Sequence, residues 1–141
     1  MNGSDYFKLA ISKYAQFEGR SRRSEYWYFA LFYVLILIAL VVAEAVLFQT
    51  MITYLIGVLF FIVPALAVSV RRLHDVGKSG WYYLITLIPL VGPIVFLVWA
   101  CTDSQYGANA WGPNPKGEGN GSFSQDEEVD LSRHLIDDDL V

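Results

Sequence analysis

Charge is the scarcest ingredient of this chain. Only 17% of its 141 residues are Asp, Glu, Lys or Arg, against about 25% in an ordinary soluble domain, and residues 81–101 carry none. Cysteine is nearly absent too: Cys101 stands alone, which excludes an intramolecular disulfide framework and a cysteine-built zinc site. Histidine occurs only at 74 and 134. The pair His74-Asp75 therefore lacks the further ligands that a metal-dependent phosphohydrolase needs, so no metal, cofactor or catalytic residue is expected. A net charge of −4 argues against a general nucleic-acid binder, which needs a basic surface.

What is abundant is apolar, at 55% of residues, and it comes in blocks. Residues 26–48 hold one charged side chain, Glu44, and twenty-odd helical residues at about 1.5 Å each cross the roughly 30 Å hydrocarbon core of a bilayer. Gln49 and Thr50 separate this block from a second, 51–70, so the two form a tight antiparallel hairpin. The small residues around Glu44 resemble a signal-cleavage site, but the preceding apolar stretch is too long for a signal peptide and reads as an uncleaved anchor. A third block, 81–101, is long enough to span but is interrupted by Pro89, Gly92 and Pro93. It either crosses with a kink or dips in and returns, and the scarcity of Lys and Arg beyond it favours crossing. The expected fold is an all-α integral membrane protein: a helical hairpin, a third proline-interrupted transmembrane helix, a short N-terminal amphipathic helix and a disordered acidic tail.

Apolar residues at spacings of three and four from Tyr6 to Phe17 mark the amphipathic helix, 5–17, which lies in the headgroup plane or packs on the protein itself. Residues 1–115 make one membrane domain, and 116–141 form the tail. Residues 1–80 carry eight basic against five acidic side chains, whereas from Thr102 onward nine acids face Lys116 and Arg133. Basic residues accumulate in cytoplasmic loops, which puts the N-terminus and the 71–80 loop inside the cell and, with three crossings, the tail outside.

Two segments hold nearly all the polar chemistry. In the first, Ser21 is a candidate N-cap and Glu25 suits the helix N-terminus, while Arg22 and Arg23 oppose the helix dipole and need another reason to be there. In the second, Arg71 and Arg72 close the second helix, Gly77 is a candidate C-cap, Arg71 can pair with Asp75 four residues on, and His74 and Asp75 read as polar loop contacts. Because the hairpin makes these segments neighbours, Arg20, Arg22, Arg23, Arg71, Arg72 and Lys78 are expected to form one anionic-lipid surface. Thr53, Gly57, Ala65 and Ser69 form a small-residue stripe that packs on the first helix or serves a second copy. One boundary carboxylate, Glu44, makes no ion pathway by itself. A non-enzymatic membrane module whose cytoplasmic arginines contact anionic lipid or a membrane-protein partner is thus the first reading, an oligomeric small transporter or channel subunit the alternative, and a His74-Asp75 enzyme the third.

Phe17-Glu18-Gly19-Arg20 with Arg22, Arg23, Glu25, Tyr26 and Trp27, then Arg71-Arg72-Leu73-His74-Asp75 with Gly77 to Trp81, then Ile88 to Gly92, resemble the small bacterial membrane proteins grouped as domain of unknown function 805. Gly107, Asn109, Trp111, Gly112 and Pro115 are similar to that family's terminal block, with Ala110 and Trp111 where a basic residue and Phe or Tyr are more usual. The resemblance implies a helical protein of the bacterial plasma membrane and no established activity.

Overall fold

The structure, a computed structural model, describes residues 1–48 and 51–121, and among these it is helical, with a single isolated bridge between Asn109 and Gly112. Helix α1 covers Gly3–Ser12, α2 Arg23–Ala43, α3 Ile52–Asp75 and α4 Val91–Cys101. A π turn, Glu44–Phe48, extends α2, and a 3-10 segment, Gly80–Leu87, precedes α4. The acidic stretch 122–141 and the Gln49-Thr50 connection lie outside the described residues.

The burial pattern inverts that of a soluble protein. Leu31, Val34, Leu35, Ile38, Val41 and Val42 of α2, and Leu55, Ile56, Leu59 and Ile62 of α3, are exposed. The buried set includes Arg20, Glu25, Arg71, Arg72 and Asp75. Leucine facing outward and arginine facing inward is stable when the surroundings are hydrocarbon. Among the described residues, α2 with its π extension and α3 are the two helices long and apolar enough to cross a membrane, at mean hydropathies of 2.8 and 2.3 in their most apolar windows.

The far ends of α2 and α3 are tied by Glu44. Its buried carboxylate accepts a hydrogen bond from the Tyr54 backbone N–H at 3.1 Å, a donor in the first turn of α3 that no helical carbonyl can reach. A negative charge also suits that N-terminus. Gly57 lets the helices close up, since a Cβ there would lie 2.4 Å from Leu40 Cδ1. Ala65 packs against the Ala10, Phe29 and Val68 cluster, and Ser69 is buried with its hydroxyl donated to the Ala65 carbonyl. These three positions of the stripe thus face the chain's own interior.

Helix α1 starts earlier than periodicity suggests and ends at Ser12. It packs on α2 through rings: Tyr6 stacks on Tyr28 at 5.7 Å, and Phe7 on Phe29 at 5.9 Å. Just after it, Tyr14 Oη donates to the Phe60 carbonyl at 2.5 Å. Phe60 is four residues before Pro64, which sits inside α3 and has no N–H to offer that carbonyl. Tyr14 therefore supplies the hydrogen bond that the proline withholds, in surroundings where water cannot. Tyr14→Phe keeps the ring contact and removes only this donor, and should cost about 1–3 kcal/mol, read as a lowered thermal midpoint in detergent. An unchanged midpoint would mean the carbonyl is otherwise satisfied.

The third apolar block differs from a single crossing. Gly80 starts beside Val70 and His74 of α3. Eight 3-10 residues run about 16 Å at 2.0 Å each, the chain turns at Ile88 to Leu90, and the eleven residues of α4 return about 16 Å at 1.5 Å each. Cys101 and Thr102 then meet Arg23 and Arg72, at the same end of the α2–α3 pair from which Gly80 departed. The turn uses Leu90 at φ +66° and Gly92, where a Cβ would lie 1.8 Å from the Ile85 carbonyl oxygen. Tyr83 and Tyr82 pack edge-on against Phe96 and Trp99 across this return hairpin, at 5.4 and 5.7 Å. A 3-10 segment and an 11-residue helix laid back to back replace the expected kinked span because neither half is long enough to cross alone.

Candidate functional site: a buried arginine cluster at one end

Asp75 is the centre of the polar end. It is the last residue of α3, its side chain is 0% exposed, and its carboxylate accepts from Arg20 Nε at 3.0 Å, Arg72 Nη1 at 2.5 Å and Ser104 Oγ at 2.6 Å. A Schellman turn places it: Gly77 takes φ +75°, its N–H donates to the His74 carbonyl at 3.1 Å, and the Lys78 N–H donates to Leu73 at 2.9 Å. Glycine tolerates that left-handed angle. Gly77 is thus the cap its position in the sequence suggests.

Every N–H of Arg20 is used. Besides Asp75 Oδ1 its guanidinium donates to the carbonyls of Gly107 (2.7 Å), Gly112 (3.3 Å), Asp75 (3.3 Å) and Gln105 (2.6 Å), which exhausts its five donors. Arg72 reaches Asp75 and the carbonyls of Ser21 (3.2 Å), Ala100 (3.2 Å) and Thr102. Ala100 lies in the last turn of α4, where carbonyls lack helical partners and a cation suits the dipole. Arg23 does the same from the start of α2, donating to the Cys101 carbonyl at 3.2 Å and pairing with Asp103 at 3.3 Å. That answers why a cation stands at an unfavourable helix N-terminus: it caps a different helix. Asp103 lies below its usual carboxylate range, chiefly because Lys116 hydrogen-bonds it, aided by the Ser104 N–H.

Two pairings depart from expectation. Asp75 joins Arg72, three residues away, and Arg71 turns to Glu25 instead, at 3.2 Å. Ser21 is not the N-cap: Arg22 holds that position, and the buried Ser21 hydroxyl has no hydrogen-bond partner among the described residues. The Ser21 N–H instead bonds the Arg71 carbonyl at 3.0 Å, so this residue stitches the chain before α2 to α3.

Of the six basic residues expected to form a lipid surface, Arg20, Arg71 and Arg72 have side chains 1% exposed and carboxylates or carbonyls as neighbours. Arg22 stands over the Tyr6 ring, and Lys78 over Trp99 at 4.7 Å and Tyr82 at 5.4 Å. Arg23 remains half-exposed. His74 and Asp75 both contact loops: His74 Nδ1 lies 3.1 Å from the Gly19 carbonyl, and its ring stacks on Trp111 at 4.7 Å. Glycine, asparagine and tryptophan at 107–112 complete the cluster. Asn109 Nδ2 donates to the His74 carbonyl at 2.9 Å, and its Oδ1 accepts the Trp111 N–H at 3.0 Å. The sequence shows these residues as a block of helix breakers; their part as carbonyl acceptors for Arg20 depends on contacts 87 and 92 positions apart. Among the described residues no group of His, Cys, Asp and Glu could hold a metal ion.

This arrangement joins the three sequence blocks into one unit, and residues 14–113, which contain it, match the family described as "Protein of unknown function (DUF805)". The chain belongs to the DUF805 family. Similar proteins are inner membrane protein YhaH of Escherichia coli K12, 35% identical over 118 residues covering 79% of this chain and 97% of that protein, and inner membrane protein YhaI of the same strain, 33% identical over 112 residues covering 79% and 95%. No solved structure matches. This DUF805 protein is accordingly a helical inner-membrane protein, and its polar end is built from the segments around Arg20, Arg71-Arg72 and Gly107 to Gly112.

Proposed function

We propose that the protein is a non-enzymatic module of the bacterial inner membrane whose N-terminus, post-α3 turn and C-terminal loop share the cytoplasmic side, and whose exposed arginine there holds anionic lipid. The orientation is supported by the positive-inside rule: Arg20, Arg22, Arg23, Arg71, Arg72, Lys78 and Lys116 belong to the segments at the polar end, while residues 34–66, which include the opposite turn, contain no Lys or Arg. Under this orientation the return hairpin dips into the inner leaflet and comes back, and the chain beyond residue 121 starts from the cytoplasm.

The observation that carries the lipid reading is a groove of about 500 Å3 lined by Arg23, Ser24, Trp27, Tyr28, Leu31 and Cys101. It is apolar along Leu31 and Trp27 and cationic at Arg23, in the order of an acyl chain and a phosphate. The Arg23 fork can turn from exposed Asp103 to a phosphate at little cost, since a surface pair is worth about 0–1 kcal/mol. Anionic-lipid retention by purified protein should fall several-fold in Arg23→Ala at low salt, in line with about 1 kcal/mol per basic residue, and converge with wild type as salt screens the charge. Equal retention at every salt concentration would refute it.

A further inference from the structure

A second groove, on α3 where the first lies on α2, has different chemistry. It encloses about 450 Å3 between α3, the 3-10 segment and Phe17, a volume that suits one amphiphile. Leu66, Val70 and His74 line it at four-residue steps, so they form one stripe rising about 12 Å along the helix. Leu84 faces them from the 3-10 segment, and Ser79 and Gly80 close the polar end. Leu66 and Leu84 are both exposed, so the groove opens sideways to the hydrocarbon.

His74 gives this groove a specific demand. The residue is 8% exposed. Its Nδ1 faces the Gly19 carbonyl, which can only accept, so Nδ1 carries the hydrogen of the neutral ring and Nε2 bears the lone pair. Stacking on Trp111 within 10° fixes the ring plane. Nε2 points toward Gly80, where a Cβ would stand 3.6 Å away, and among the described residues no donor meets it. A bare acceptor thus looks into the polar end of an apolar groove. Lys78, the residue before Ser79 of that end, has its ammonium over Trp99 and Tyr82, which do not line the groove, with no carboxylate against it among the described residues.

We propose that this groove seats one acyl chain of a phosphatidylglycerol-type lipid. The chain lies along Val70, Leu66 and Leu84, a glycerol hydroxyl of the head donates to His74 Nε2, and the phosphate faces Lys78. The occupant follows from three features together: an apolar stripe that opens to the bilayer, an acceptor that asks for a hydroxyl, and a cation that asks for an anion. The site is separate from the Arg23 groove and does not depend on it.

The test is native mass spectrometry of the full chain released from vesicles holding equal amounts of phosphatidylglycerol and phosphatidylmethanol, which carry the same charge but differ in the head hydroxyl. With the first groove disabled by Arg23→Ala, the protein should retain phosphatidylglycerol at least tenfold over phosphatidylmethanol, whereas in wild type the first groove holds both lipids and lowers the ratio. In the Arg23→Ala background Leu84→Trp, which fills the apolar part, should lower retained phosphatidylglycerol about tenfold at an unchanged thermal midpoint, and His74→Phe should make the two lipids equal. Equal retention of the two lipids by Arg23→Ala would overturn the proposal.

Discussion

Asp75→Ala is expected to be the most damaging single substitution in the chain. It leaves Arg20 and Arg72 buried with no carboxylate between them, and removing one partner from a buried ion pair costs about 3–5 kcal/mol. Here one carboxylate serves two guanidiniums and the Ser104 hydroxyl, so the loss should reach the upper part of that range. The variant should fail to accumulate in membranes, or melt far below wild type where it does. Asp75→Asn keeps the shape and one acceptor oxygen and should fall between. The companion measurement is a double-mutant cycle with Arg20→Met: if the pair is coupled as the geometry requires, the double variant is less damaged than the sum of the two singles. Additive losses would mean that Asp75 and Arg20 act independently.

Gly92→Ala should come next. A Cβ at this position would lie 1.8 Å from the Ile85 carbonyl oxygen and 3.0 Å from Thr86 Cα. These are backbone atoms of a packed segment, so no side-chain rotation relieves the overlap. Overpacking of a single methyl ordinarily costs about 1–3 kcal/mol, and a backbone neighbour that cannot yield puts this case at the top. The two arms of the hairpin should separate, exposing the 3-10 segment to protease in detergent at concentrations that leave wild type intact, while Gly121→Ala, with open space around its Cβ, should have no effect. Protection equal to wild type would show that the arms do not approach as closely as described.

How much of this was legible beforehand depends on the range of the interaction. The two long helices, a helix near the N-terminus and the Gly77 cap follow from composition and from local spacing. The positions of the arginines were legible too, but not their partners. Arg20 meets carbonyls 85 to 92 positions away, and nothing local distinguishes an arginine that will meet lipid from one that will meet its own chain. The misfit of Arg23 with the α2 dipole was a usable signal, since it demanded a negative partner that proved to be the end of α4 and Asp103. Pro89 and Pro93 allow either a kink or a return, and the scarcity of Lys and Arg beyond the third block pointed to crossing, which the return hairpin corrects. The deciding residue is Gly92, whose value lies in a contact with Ile85 seven positions earlier, and the sequence shows only that a glycine is there.

The central claim is that the cluster around Asp75 gathers the N-terminal segment, the end of α3 and the end of α4 on one side of the membrane. Cys101, the single thiol of the chain, is exposed at the end of α4, so its sidedness is the direct measurement. In sealed spheroplasts a membrane-impermeant maleimide should leave Cys101 unlabelled and should label it once the membrane is permeabilised, as it should a cysteine placed at Ser4 near the N-terminus of a Cys101→Ser protein. Labelling of Cys101 in intact spheroplasts, with the Ser4→Cys site still protected, would contradict the account: the third block would then cross the membrane, and the arginine cluster could not hold its end.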